Sequence, residues 1–155
     1  MTQEGDSKER TALSALDLPE FFGLDDLIVA VESSRTTRIE IVEFPRIFPE
    51  DGLFGIWLNT GFGDYILHAP TASELHRCQI VLHELAHMIL GHDLAAGQTS
   101  AAALFPDLPE ETVLRMLARG HADNDMEREA EALADLLACS IRQNRQHSSF
   151  VRVFG

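Results

Sequence analysis

The sequence predicts an α+β fold, mainly helical, with a small three-stranded sheet packed beside one apolar helix. Three observations carry this. Residues 72–90 are apolar at most positions, residues 126–141 repeat apolar positions at helical spacing, and three short runs between Thr37 and His68 are rich in alternating or β-branched residues. With 155 residues, 45% of them hydrophobic, the chain can bury one sizeable core and is too short for two ordinary domains. A single domain over residues 12–141 is therefore expected, between a polar, disordered segment at 1–11 and a C-terminal tail at 142–155.

Taken in order, helices are predicted around Ala12 to Leu18 and from about Asp25 to Ser33, separated by Pro19 and Gly23. Thr37 to Phe44 alternates, with Ile39 and Ile41 on one face, and Pro45 ends it as a strand. Phe54 to Leu58 and Asp64 to His68 are two more strands, joined by Asn59-Thr60-Gly61-Phe62-Gly63, a loop of hairpin length. The predicted sheet is mainly antiparallel, and an edge strand of it could hold an extended peptide by main-chain pairing.

Pro70 breaks the chain, and Thr71 followed by Glu74 reads as a capping box, so the next helix should start near Ala72 and stop at Gly91. Leu75, Cys78, Ile80, Val81, Leu82, Leu85, Ala86, Ile89 and Leu90 make it a core helix. Into it are set His83-Glu84-Leu85-Ala86-His87, an H-E-x-x-H run. Residues four apart stack on one helix face, so both imidazoles can reach one metal ion while Glu84 projects beside them. Zinc held by two imidazoles and one further ligand keeps a position open where water becomes acidic near neutrality, and an adjacent carboxylate can take up its proton. A buried polar trio of this kind is costly unless compensated, and Zn2+ is the simplest compensation; the imidazole-rich site favours it over manganese or iron. His76 and His92 are spare ligands or, as the simpler reading, exposed histidines at the helix ends.

Gly97 to Ala103 is small and polar and reads as a loop. Asp107 with Glu110, Pro109 and then Gly120 delimit a helix bridging the two metal-binding segments. Asp123-Asn124-Asp125 then offers N-cap residues for a second strong helix, whose apolar face is Met126, Ala130, Leu133, Ala134, Leu137 and Ile141. At about 100° per residue Glu127 lies roughly 60° from the centre of that face, and Glu129 and Glu131 about 100° away on opposite sides. Glu127 is thus the inward acid and the expected third ligand, with Glu129 and Glu131 as the alternatives; a capping role toward Asn124 competes with ligation. Amide hydrolysis also needs oxyanion stabilisation, for which Tyr65 and His121 are candidates.

A net charge of −13, from 12 basic and 25 acidic residues, argues against direct binding to a phosphate backbone and suits a basic protein partner. Cys78 and Cys139 form no disulfide framework and read as reduced core thiols. Neither an apolar leader nor a run long enough to span a bilayer is visible, so a cytoplasmic protein without membrane association is expected.

The stretch Arg77 to His92, containing His83-Glu84-Leu85-Ala86-His87-Met88-Ile89-Leu90-Gly91-His92, and the later block Glu127-Arg128-Glu129-Ala130-Glu131-Ala132-Leu133-Ala134-Asp135-Leu136-Leu137 resemble the ImmA/IrrE metallopeptidases. Those carry H-E-L-[GA]-H followed by an apolar pair and Gly-His, then E-x-E-A-x-x-F-A-x-x-L-L on a later helix. The resemblance spans about Gly52 to Ala138, including the strands before the active helix; Leu133 stands where the family has an aromatic, and no Met-Pro follows. It implies a zincin-like domain of the gluzincin kind, with His83, His87 and Glu127 as zinc ligands and Glu84 as catalytic base. It also implies an endopeptidase whose substrate is a helix-turn-helix (XRE-type) transcriptional repressor. The alternative from another class is a regulatory binding module on the same scaffold that sequesters its partner without cutting it.

Overall fold

The computed structural model describes residues 2–45, 54–60, 63–92 and 124–154. The predicted loop at Gly97 to Ala103, the predicted helix from Asp107 to Gly120, and His121 lie outside them. The described elements are helices α1 (Thr2–Ser14) and α2 (Leu24–Arg35), strands β1 (Ile39–Glu43), β2 (Gly55–Thr60) and β3 (Gly63–His68), and helices α3 (Glu74–Ile89) and α4 (Asn124–Phe154). The architecture is α+β.

Helix α1 occupies the segment read from sequence as disordered, and it ends at Ser14 where a helix from Ala12 to Leu18 was expected. The reason is tertiary. Lys8 Nζ donates to both carboxylate oxygens of Glu129 at 2.9 Å, Glu9 is buried, and Leu13 packs on the core, so a polar stretch gains partners invisible to local sequence. Helix α2 follows a Gly23 N-cap whose N–H is accepted by the Asp26 carboxylate at 2.9 Å, and it buries Leu27, Ala30 and Val31.

The sheet order is β1-β3-β2. β3 is central, antiparallel to β2 (Trp57 opposite Ile66) and parallel to β1 (Ile41 opposite Ile66), so the sheet is mixed rather than mainly antiparallel. Alternation of side chains decides which face is buried but not the direction in which a neighbour joins. Thr60 pairs with Gly63, so both hairpin strands run further toward the turn than expected. Gly63, at φ +146°, passes the Arg38 carbonyl so closely that a Cβ there would lie 2.9 Å from it. Buried Asp64 accepts from Trp57 Nε1 at 2.8 Å and Asn59 Nδ2 at 2.9 Å, which satisfies a carboxylate inside the sheet.

Helix α3 begins two residues later than the Thr71 box implies. Ser73 is the N-cap, its hydroxyl accepting from His76 N at 3.2 Å, while Thr71 Oγ1 accepts from Ser73 N. Ile80, Val81, Leu82, Leu85 and Ala86 are buried as expected, and Met88 joins them, but Leu75 in the first turn is exposed. Gly91 at φ +69° turns the chain out of the helix.

Helix α4 buries Ala130, Leu133, Ala134 and Leu137 on the face read from the sequence, with Met126 and Ile141 half-buried at its flanks. It then continues to Phe154, in place of the separate tail expected from residue 142. No Pro or Gly interrupts residues 142–154, and Asn144 Nδ2 donates to the Phe22 carbonyl at 2.9 Å while His147 stacks on Phe21 at 4.3 Å. Cys78 is half-buried and Cys139 exposed, so only the first approaches the core position expected of both. Among the described residues no helix is long and apolar enough to cross a membrane.

Candidate metal centre

The packing of α3 against α4 brings together His83 and His87, one turn apart on α3, and Glu127 in the first turn of α4. His83 Nε2 lies 3.0 Å from Glu127 Oε2, His87 Nε2 lies 3.2 Å from Glu127 Oε1, and the two Nε2 atoms are 3.2 Å apart. The imidazole planes cross at 81°, so their ring nitrogens converge rather than stack. A tetrahedral zinc site with bonds of about 2.0–2.1 Å has edges of roughly 3.3 Å between ligand atoms. The donor set, two imidazole nitrogens and one carboxylate, therefore fits a metal ion in both spacing and chemistry, and this His-His-Glu cluster could hold one.

Electrostatics make the cluster tightly linked. Burial works against a proton on His83, yet the hydrogen bond to Glu127 and the nearby Glu84, Glu127 and Glu131 carboxylates outweigh it and raise its proton affinity above the ordinary imidazole value. The hydrogen bond with His83 and then the close approach of the His87 imidazole hold the Glu127 carboxyl well below the usual carboxylate range, against the effect of its partial burial. Glu127 is 44% exposed and His83 29% exposed at the side chain, so the cluster opens to solvent on that side, while His87 is closed in.

Glu84 lies against strand β2, near enough to His83, His87 and Glu127 to feel their charges. It is buried, and burial raises its carboxyl pKa although His83, His87 and a hydrogen bond from the Trp57 main chain favour the ionised form. Its room is made by Gly55 in β2. A Cβ at that position would stand 2.6 Å from Ile80 Cγ2, 3.2 Å from the Leu67 carbonyl and 3.4 Å from Glu84 Oε1. A glycine inside a strand signals close approach of another group, and this one marks where the strand crosses the motif helix.

The remaining sequence candidates fall as follows. Glu129 turns to the opposite flank of α4, toward Lys8 and His92, and Glu131 is exposed; neither joins the cluster. Tyr65 is half-buried on central β3, paired with Leu58 and Glu40. His76 is half-buried, edge-on to the Phe54 ring at 5.0 Å and 3.3 Å from Thr71 Oγ1. His92 departs most from expectation: instead of an exposed helix-end residue it is 5% exposed, with Nδ1 2.7 Å from His87 Nδ1 and Nε2 3.0 Å from Glu129 Oε2. Burial lowers its proton affinity, partly offset by that bond to Glu129. The sequence offered one signal for it, the Gly91 break that lets the chain fold back under α3. Comparison with protein-family models, with curated proteins and with solved structures finds no match to this chain.

Proposed function

We propose that the protein is a zinc-dependent endopeptidase of the ImmA/IrrE kind on a zincin-like scaffold, and that its substrate is a helix-turn-helix (XRE-type) repressor. The observation that carries this reading is the convergence of His83 Nε2, His87 Nε2 and a Glu127 oxygen beside a buried, unligated carboxylate, Glu84. His83, His87 and Glu127 hold the zinc, which when bound supplies Lewis acidity toward water and a peptide carbonyl. Glu84 moves the proton: its carboxylate accepts one from the attacking water and returns it to the leaving amine nitrogen, and burial that raises its proton affinity suits it to both steps. Strand β2, an edge strand among the described residues, lies over Glu84 and offers main-chain groups to an extended peptide. The net charge of −13 favours a basic partner such as a DNA-binding protein.

Two variants test the reading. Elemental mass spectrometry on protein purified without chelator or nickel should find about one zinc per chain in the wild type and far less in Glu127→Ala. Glu84→Gln should keep its zinc and lose hydrolysis of a quenched-fluorescence peptide library by about 10²–10⁴-fold. A wild type that takes up no zinc from zinc-supplemented buffer, or Glu84→Gln as active as wild type, overturns it. Zinc retained by a wild type that binds repressors and cuts nothing would instead establish the regulatory binding module.

A further inference from the structure

We propose that His92 and Glu129 are positioning residues for His87, a hydrogen-bonded chain that fixes which nitrogen of His87 carries its proton and so leaves Nε2 bare for the metal. The inference rests on the metal reading of the site, and it follows from counting donors. Glu129 receives Lys8 Nζ on both oxygens at 2.9 Å, so its carboxylate acts as an acceptor throughout. His92 Nε2, 3.0 Å from Glu129 Oε2, must therefore be the N–H side of that contact. In a neutral imidazole the other nitrogen then has only a lone pair, and His92 Nδ1 presents it to His87 Nδ1 at 2.7 Å. Two ring nitrogens at that separation need one hydrogen between them, so His87 donates from Nδ1, and its Nε2 is unprotonated. That Nε2 is the atom facing His83 Nε2 and Glu127 Oε1. A single N–H on His83 Nε2 then serves both of its close contacts, to Glu127 at 3.0 Å and to His87 at 3.2 Å.

An imidazole free in water favours the opposite tautomer, with its proton on Nε2, and would have to switch before binding through that atom. The chain makes the switch in advance, as outer partners of metal-bound histidines do elsewhere. What is particular here is the route: a second imidazole stands between ligand and carboxylate, and Glu129 passes the link on to Lys8 of α1.

Long-range ¹H–¹⁵N correlation spectra of the full-length, chelator-treated chain read the tautomers directly. His87 protonated on Nδ1 and His92 on Nε2 are expected; His87 protonated on Nε2 overturns the proposal. Zinc affinity by competition with a chromophoric chelator supplies the second readout. Glu129→Ala should weaken it about 10-fold and scramble both tautomers, while Glu129→Gln, whose amide oxygen still accepts from His92, should restore most of the affinity. Glu131→Ala removes an equal charge from the exposed side of the same helix and should change affinity little. Equal losses in Glu129→Ala and Glu131→Ala, or none in Glu129→Ala, would reduce the chain to a bystander. Failure of the wild type to bind zinc at all would sink the metal reading instead, and the tautomer spectra would still decide the hydrogen-bond chain.

Discussion

His83 and Glu84 both bind protons more tightly in the folded chain than their ordinary values of 6.5 and 4.5, and stability must follow. A group whose affinity is raised by folding favours the native state at low pH and loses that advantage as pH rises. In chelator, therefore, the melting temperature should fall as pH is raised from about 6.5 through the slightly alkaline range. Glu127 has the opposite sign, its contribution being lost only in acid below its ordinary 4.5, and so does not cancel the effect. With zinc present the trend should reverse over the same window, because the ion displaces the proton that His83 holds and binds better as pH rises. Parallel trends in calorimetry with and without zinc would contradict the site. At this scale the sequence was most legible where spacing alone fixes position: His83, Glu84 and His87 on one helix, and Glu127 through the apolar face of another. His92 was only hinted at by the Gly91 break, because a left-handed turn there, not a period, carries it under α3.

Strand β2 and helix α3 meet at Gly55, and that contact ties the sheet to the proposed site. Gly55→Ala forces a methyl against Ile80 Cγ2, on a buried β-branched side chain that cannot swing aside, and against the Leu67 carbonyl. We expect a loss of about 1–3 kcal/mol in urea unfolding, with Ile80→Ala recovering part of it in the double variant; independent, additive effects would show that the two do not collide. Elements with strong local signals were readable, namely the β2–β3 hairpin, the motif helix and the apolar stripe of α4. The ends were not. Helix α1 exists through Lys8 and Glu129, 121 residues apart, and α4 runs past residue 142 because Phe21 and Phe22 receive its last turns. No window of sequence contains both halves of such contacts.

For the whole molecule, the α+β class followed from apolar content and periodicity, whereas the mixed sheet did not, since nothing in an alternating run states on which side a strand will join. With His83 and Glu127 44 residues apart, the proposed metal centre is a property of the folded state only. Free zinc at about a thousandfold over its Kd should add about 4 kcal/mol to unfolding, and Glu127→Ala should melt at the same temperature with or without zinc. The sheet order β1-β3-β2 adds a dimension of time. β2 and β3 are near neighbours along the chain and feed directly into α3, whereas β1 must close a longer loop to reach the far edge of β3. Pulse-labelled hydrogen exchange during refolding should therefore protect Ile56, Leu58 and Leu67, whose N–H groups join β2 to β3, before Glu40, Val42 and Ile66, whose N–H groups join β1 to β3, and simultaneous protection would refute the sequence of events. The chain would then build the strand over Glu84 first and join its parallel edge last, so that a stalled or truncated folding intermediate exposes β3 to the pairing of another chain before β1 has sealed it.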